Sequence, residues 1–216
     1  MALHTIRRGP YEAVIDSKGA QLVSCHLGSG ASLAGIVDGK DMDTTMGLTP
    51  LDGLIMGTRC GTIDPATVVY LQREGGYSVD EVDTMMNKQS GLLALSGISS
   101  DSRDIEEAAN NGDENATMAI EMFAYRTAQL IMEMAQANEG MDTIAFSAGI
   151  GENSDTLRSA VIEKLAWMGV TIDAVKNAIR SDEVRDISGA DSKVRVLVVP
   201  TNEEYMIALD VAELLG

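Results

Sequence analysis

The sequence contains few of the residues that build metal clusters or disulfide frameworks. Its 216 residues include 2 cysteines and 2 histidines. Cys25 and Cys60 lack C-x-x-C spacing, so we expect two reduced thiols in a cytoplasmic protein. A zinc site that used His4 and His26 would need distant ligands. No apolar run is long enough to span a bilayer, and the first residues lack the apolar core of a signal peptide, which predicts a soluble chain without a membrane partner.

Basic residues are also scarce. Lys and Arg number 16 against 33 Asp and Glu, which gives a formal net charge of −17. This charge repels nucleic-acid phosphates and anionic lipid surfaces, so we expect neither nucleic acid nor membrane as a partner. An anionic nucleotide can still be held where backbone amides, a metal ion and a few arginines overcome the repulsion locally.

The first part of the chain is punctuated by turn residues. Apolar runs at 21–25 and 31–37 and a short segment ending at Thr45 are separated by such turns. Asp38-Gly39 is typical of a tight hairpin turn. This pattern predicts consecutive β-hairpins, followed by an irregular, glycine-rich stretch at 48–73.

The second part predicts alternating helices and strands, so the fold class is expected to be α/β. The predicted elements are a short helix opened by a capping box at Ser78, a long buried helix at 115–138, a strand at 143–147, a helix at 154–168, a strand at 194–199 and a helix at 203–214. We expect the last helix to cover one face of the sheet, because nearly continuous β-branched strands are usually covered on both faces.

Two of these strands end in segments that suit a ligand. If 143–147 and 194–199 are parallel neighbours, the outgoing segments 148–154 and 200–204 share the sheet edge at which α/β proteins bind ligands. Neither the Gly-x-Gly-x-x-Gly nor the Gly-x-x-x-x-Gly-Lys pattern is present. Therefore neither a Rossmann dehydrogenase nor a P-loop enzyme is favoured.

The segment 148–154 has two interpretations. Gly149 and Gly151 would let the backbone approach an anion near a helix start. A tight turn capped by Asn153 or Ser154 explains the same residues, and for an isolated Gly-x-Gly it is the commoner reason. Both interpretations stay open from the sequence.

Glu203 also has two interpretations. Thr201 and Glu204 have capping-box spacing, which leaves the Glu203 carboxylate free to hold Mg²⁺. The alternative is a surface carboxylate favoured by the helix dipole.

Three further segments carry candidate ligand contacts. The loop 25–32, with His26 and two glycines, can wrap phosphoryl oxygens or simply form a bend. Arg59 lies in the glycine-flanked segment 56–61, which favours a positioned cation, although arginines on the surface are usually solvated. Residues 99–104 are the third candidate, and an N-capped helix start accounts for them as well.

Eight short motifs, taken together and in this order, resemble those of the acetate and propionate kinase family. They are His-Leu-Gly-Ser-Gly at 26–30, Asp-Thr-Thr-Met-Gly at 43–47, Met-Gly-Thr-Arg-Cys-Gly at 56–61, Ile-Asp-Pro at 63–65, Ser-Gly-Leu-Leu at 90–93, Ser-Ser-Asp-Ser-Arg-Asp at 99–104, Ala-Gly-Ile-Gly-Glu-Asn-Ser at 148–154 and Pro-Thr-Asn-Glu-Glu at 200–204. The resemblance runs from about Gln21 to the end of the chain.

The resemblance implies an actin and sugar-kinase type of fold, related to ribonuclease H, with a mixed sheet flanked by helices. Such kinases have two duplicated domains that close around ATP. Residues 21–216 resemble the second, C-terminal domain, which binds the nucleotide and forms a homodimer, with the helix 115–138 as one candidate interface element. Residues 1–20 do not match, and the N-terminal domain has no counterpart in this sequence.

Site residues follow from the resemblance by motif position. It implies a catalytic Arg59, ATP as cofactor and Mg²⁺ on Glu203. The nucleotide and phosphate contacts that it implies are His26, Leu27, Gly28, Ser29, Gly30, Asp101, Ser102, Arg103, Gly149, Ile150, Gly151, Glu152 and Asn153. Position 29 departs from the family loop, which usually has Asn there, and a shorter side chain would alter contact with the terminal phosphate.

The implied reaction is transfer of a phosphoryl group from ATP to acetate or another short carboxylate, which gives ADP and an acyl phosphate. Because family members are about twice as long, we expect the isolated chain to be inactive without an N-terminal domain. The alternative is a non-catalytic module that binds nucleotide or dimerises.

Overall fold

The computed structural model describes the backbone of residues 3–8, 11–16, 20–201 and 203–215, and the side chains of 20–201 and 207–215. The strands are β1 (Leu3–Arg8), β2 (Tyr11–Asp16), β3 (Gln21–Leu27), β4 (Ala31–Val37), β5 (Lys40–Thr44), β6 (Thr143–Ser147), β7 (Arg185–Asp186) and β8 (Arg195–Val198). β1 and β2 form an antiparallel hairpin, and the other strands form one sheet in the order β5-β4-β3-β6-β8-β7.

The sheet is mixed, as the resemblance implies. β3, β4 and β5 form the antiparallel hairpins predicted from the turn residues. Asp38 and Gly39 form the turn between β4 and β5 with φ angles of +49° and +75°, the left-handed backbone that a tight hairpin requires. At the centre, β3 is parallel to β6 and β6 is parallel to β8. Every residue of β6 is buried, which explains its continuous apolar pattern.

Nine helices are described around this sheet. They are α1 (Pro65–Arg73), α2 (Val79–Lys88), α3 (Gly91–Ser96), α4 (Ser102–Asn110), α5 (Glu114–Ala137), α6 (Ala148–Asn153), α7 (Asp155–Glu163), α8 (Ala174–Ala178) and α9 (Glu203–Leu215). The predicted capping box is present: Ser78 and Glu81 exchange side-chain and backbone hydrogen bonds at the start of α2. In the described part of the chain no helix is both long and apolar enough to cross a membrane.

The long helix α5 organises the core, as its apolar spacing predicted. It packs against β3 and β4 of the sheet and against the helices α3, α4 and α7. Phe123 and Met134, two of the positions that carried the prediction, are at most 1% exposed. Just past its end, the Asn138 side chain donates a hydrogen bond to Leu22 O at 2.9 Å. This bond joins the helix end to the central sheet.

Three local predictions are wrong. Residues 48–73 are not irregular throughout, because Asp64 caps α1 and Pro65 supplies a favourable first position. The segment 148–154 is not a loop: most of it is the helix α6. The helix expected at 154–168 ends at Glu163, and a separate 3₁₀ turn, Ala166–Met168, follows.

The role expected for the last helix is also wrong. α9 forms where the sequence predicted a helix, but residues 207–215 are all exposed. These side chains therefore do not cover the sheet. The prediction rested on the β-branched strand 194–199, and such a strand indicates that its faces are covered without showing which element covers them.

Candidate active site

A cavity of about 700 Å³ opens where β3, β6 and β8 end. The cavity is lined by three segments from separate parts of the sequence: the turn 28–30 after β3, Ala148 and Gly149 after β6, and Thr201 after β8. Parallel pairing of the three strands brings these segments to one edge. The sequence predicted this for β6 and β8, and the structure adds β3.

The turn after β3, residues 28–30, presents backbone amides to the cavity. Gly28 N donates to Gly30 O at 2.9 Å, and Ser29 O accepts a hydrogen bond from Gly57 N at 3.1 Å. Among the described residues, no group accepts a hydrogen bond from the Ser29 or Gly30 amide. Successive amides of this kind suit the oxygens of an anion.

The segment after β6 reaches the cavity beside the 28–30 turn, because β3 and β6 are neighbouring strands. Ala148 has a φ of +64°, which turns the chain sharply from β6 into α6. A side chain at Gly149 would meet no atom within 4 Å, so this residue faces open space at the cavity wall. The backbone at Gly149 is therefore accessible to a ligand.

His26 and Arg59 supply polar side chains to the cavity wall. His26 Nδ1 lies 3.5 Å from Ser147 Oγ at the end of β6. The Arg59 guanidinium donates to Pro50 O at 3.4 Å and lies 3.6 Å from Met56 Sδ. No carboxylate among the described residues pairs with Arg59. Its charge is therefore available to an anion in the cavity.

The Arg59 loop is held between two helix ends. Ser90 N and Leu92 N, at the start of α3, donate to Thr58 O and Met56 O at 2.9 and 2.8 Å. These amides are among those that a helix leaves unpaired at its start. At the end of α2, Met86 O accepts a hydrogen bond from Cys60 N at 3.0 Å. The motif at 90–93 thus supports the loop rather than the ligand.

Residues Asp101 to Arg103 form the start of α4 and do not line the cavity. Asp101 caps the helix by accepting a hydrogen bond from Arg103 N at 2.9 Å. Hydrogen bonds from the Arg103 side chain lower the pKa of Asp101 to about 2. The preceding carbonyl, Ser100 O, lies against Gly57, which is bonded to Ser29. The start of α4 is therefore next to the turn at 28–30.

Two side chains join the elements around α6. Glu106 on α4 lies beside Ser154 and Thr156 at the start of α7, and burial raises the pKa of Glu106. Arg158 on α7 is only 2% exposed. It donates to Gly151 O at 2.8 Å and to two oxygens of Asn177, both at 2.7 Å. Burial lowers the pKa of Arg158 to about 10.

Sequence reasoning missed Arg158 and Glu106 as supports of the site. Each occupies an ordinary helix position, and no motif distinguishes it. The available signal was a charged residue at position 158, directly after the apolar Leu157 on the predicted inner face of the helix.

The predicted contacts separate into two groups. His26, Gly28, Ser29, Gly30, Gly149 and Arg59 line the cavity. The others do not: Leu27 and Gly151 are buried, Ile150 packs against the core, Glu152 is bonded to backbone groups, Asn153 is exposed, and Asp101, Ser102 and Arg103 start α4. The side chain of Glu203 lies outside the described residues.

A protein-only metal site is not present in the described part of the chain, where no three His, Cys, Asp or Glu side chains cluster. Mg²⁺ does not need such a cluster, since it keeps several waters and is usually held by one or two carboxylates together with substrate phosphates. Thr201 lines the cavity and α9 begins two residues later, at Glu203. A single carboxylate at the cavity would meet the requirement of Mg²⁺, and the side chain of Glu203 lies outside the described residues.

Comparison with known proteins identifies the family. The sequence profile of the acetokinase family matches residues 13–209. The chain belongs to the acetokinase family. The match begins before Gln21, where the motif resemblance starts, and it extends into β2. The resemblance to acetate and propionate kinases is thus confirmed.

Individual acetokinases agree with this assignment. Over 194 residues the chain is 48% identical to an acetate kinase from Methanosarcina acetivorans. The aligned region covers 90% of this chain and 47% of that protein. The crystal structure of Porphyromonas gingivalis acetate kinase superposes with a TM-score of 0.85 at 41% identity, over 94% of this chain and 51% of that one. The chain spans about half the length of the curated relatives it matches.

A propionate kinase has the same architecture. The crystal structure from Francisella tularensis superposes with a TM-score of 0.82 at 43% identity, over 88% of this chain and 48% of that one. The fold is therefore of the actin and sugar-kinase type found in acetokinases, as the motifs implied.

Gly91 tests how tightly the Arg59 loop is held. It has a φ of +64°, and a Cβ atom there would overlap Met56 O. Gly97 has a similar φ of +69° with no atom within 4 Å of its Cβ position. We expect Gly97→Ala to lower the free energy of unfolding by about 1 kcal/mol through backbone strain. Gly91→Ala should cost about 2 kcal/mol more, because the loop must also shift.

Urea unfolding followed by circular dichroism measures both costs. Gly97→Ala is the matched control, since it changes the same residue type at nearly the same φ. Equal costs for the two variants would show that Gly91 does not hold the loop.

Proposed function

We propose that this chain is the nucleotide-binding domain of an acetate kinase. The reaction is ATP + acetate, or another short carboxylate, to ADP + acyl phosphate. A carboxylate oxygen of the acid forms a bond to the γ-phosphorus while the bond to the β,γ-bridging oxygen breaks, and the electron pair leaves with ADP. The observation that carries the proposal is the meeting of the 28–30 turn, Arg59, Gly149 and Thr201 around one cavity.

The amides of Ser29 and Gly30 have the role of phosphate donors in this proposal. They need no side chain, so the replacement of the usual Asn by Ser29 leaves them in place. His26 lies beside the turn and adds a polar group near the same oxygens. Asp101 to Arg103 and Gly149 to Asn153 belong to the nucleotide side of the site by their motif positions. α6 begins at the cavity wall, and the start of α4 lies next to the 28–30 turn.

Arg59 is the proposed catalytic residue. During in-line transfer, negative charge spreads over the three equatorial oxygens of the phosphoryl group. A guanidinium that is already fixed stabilises this charge without reorganising during the reaction. Arg59 meets this condition, since its loop is bonded to α2 and α3 and its charge is not neutralised by a described carboxylate.

Glu203 is the proposed ligand of Mg²⁺. The ion would supply positive charge to the phosphates of the nucleotide. The assignment is supported by the position of Glu203 in the sequence, since α9 begins there, two residues after Thr201 at the cavity wall. We also place the protein in the cytoplasm, where ATP is available, and this agrees with two free cysteines in the described residues.

A second candidate function is a nucleotide-binding or dimerisation module without catalysis. It needs only the cavity, which lies within the described residues of this chain. The same cavity would then bind ATP, but no acyl phosphate would form in any complex.

Nucleotide binding can be tested at Gly149. A side chain there would project into open space beside the cavity, so Gly149→Val should leave the fold intact and occupy room that the nucleotide needs. We expect calorimetry with ATP and Mg²⁺ to show binding to the unchanged chain and at least about tenfold weaker binding to Gly149→Val. Gly149→Ala should fall between them, and thermal melting checks that all three fold alike.

Catalysis can be tested by supplying the N-terminal half of a related acetate kinase. We expect acyl hydroxamate to form from ATP, acetate and hydroxylamine only when both halves are present. Arg59→Lys should reduce kcat at least about 100-fold, because a point charge does not replace the two-pronged guanidinium. A folded complex of the two halves that forms no acyl hydroxamate would favour the non-catalytic module instead.

We propose that the chain forms a homodimer through α5. Met118, Met122 and Tyr125 lie at helical spacing on this helix and are all exposed. An exposed apolar stripe on a helix whose opposite face is buried is typical of a subunit interface. We expect sedimentation at micromolar concentration to show a dimer, and Met122→Glu to make it a monomer. Val69→Glu changes a similarly exposed residue on α1 and should remain dimeric, whereas a monomeric unchanged chain would refute the interface.

A further inference from the structure

Glu152 bonds to two segments that follow different strands. Its Oε1 atom accepts hydrogen bonds from Ala148 N at 2.9 Å, from Thr201 N at 2.9 Å and from Thr201 Oγ1 at 2.8 Å. Ala148 follows β6, Thr201 follows β8, and both line the cavity. A single carboxylate oxygen therefore connects two walls of the site.

This connection lies beyond the end of the sheet ladder. Val199 N donates to Phe146 O at 2.8 Å, which is the bond between β6 and β8 nearest the cavity. Past this bond the two segments diverge: the one after β6 enters α6, and the one after β8 leads towards α9. The backbone amides of Ala148 and Thr201 would lose their acceptor without Glu152. An ionised acceptor also makes stronger hydrogen bonds than a neutral one.

The backbone of Glu152 is itself held from the other side. Arg185 donates to Glu152 O at 3.2 Å, and Arg158 donates to Gly151 O at 2.8 Å. α6 is therefore fixed at its end by two guanidinium groups while the Glu152 carboxylate reaches back to its start. This arrangement gives the carboxylate a defined position from which to place Thr201.

We propose that Glu152 is a positioning residue that fixes Thr201 beside Ala148, and with it the start of α9 at Glu203. It would set the width of the cavity between the nucleotide and the magnesium side, rather than contact the ligand. The inference rests on the proposed function, because Mg²⁺-bound ATP is the ligand that needs both walls at once.

Amide exchange tests the connection without any ligand. In Glu152→Ala we expect the amides of Ala148 and Thr201 to exchange with solvent about tenfold faster or more. Glu81→Ala is the matched control, since Glu81 Oε2 also accepts from a backbone amide and a hydroxyl, both of Ser78, at 2.8 and 2.7 Å. It should leave exchange at Ala148 and Thr201 unchanged. Unchanged exchange in Glu152→Ala as well would overturn the inference.

Calorimetry with ATP, with and without Mg²⁺, tests the role of this position. The measured quantity is the factor by which Mg²⁺ strengthens ATP binding. We expect this factor to be about tenfold smaller in Glu152→Ala than in the unchanged chain, with a lesser change in ATP binding without the metal. Glu152→Gln keeps an acceptor oxygen and should restore most of the gain, and Glu81→Ala should match the unchanged chain. A purely structural Glu152 would weaken both affinities equally, and that result would overturn the proposal.

Failure of the two proposals can be distinguished. An unchanged chain that does not bind ATP would overturn the proposed function, and with it the effect of Glu152 on ligand binding. An unchanged chain that binds Mg²⁺ and ATP, together with a Glu152→Ala variant that binds them equally well, would overturn only the positioning role.

Discussion

The parallel pairing of β3, β6 and β8 is the constraint on which the site depends. The register pairs Cys25 with Phe146 and Phe146 with Val198. Since the three strands run in the same direction and end at nearly the same level, the segments that follow them leave at one edge. Reversal of any of these strands would carry its outgoing segment to the opposite edge and remove one wall of the cavity.

Local donors would let this strongly acidic chain hold the triphosphate of the proposed function. The formal charge of −17 opposes an anion at long range, but solvent and salt screen that repulsion over about 10 Å. The cavity lining includes the 28–30 turn, His26 and Arg59, and no carboxylate of the described residues lines it. The groups in direct contact therefore decide binding, and the distribution of charge matters more than its sum.

A layer of buried and half-buried charge supports the site from behind. Arg158 and Arg185 bond to carbonyl oxygens at the end of α6, while Glu106 lies against the start of α7. A buried charge is costly unless it is well hydrogen-bonded, and Arg158 meets this condition with three short bonds to neutral oxygens. Such groups fix the backbone that faces the ligand, although none of them lines the cavity.

By itself the sequence determined the hairpins, the long helix α5, the central strands and the family, because turn residues, apolar spacing and ordered motifs are local features of the chain. It also placed Arg59, His26 and the glycine turns at one site. Only the tertiary structure decided that Glu152 bonds to Thr201, that Arg158 is buried, and that residues 207–215 of α9 stay exposed. Each of these depends on which elements meet in space, and an apolar or charged residue has the same local pattern whether or not a neighbour covers it.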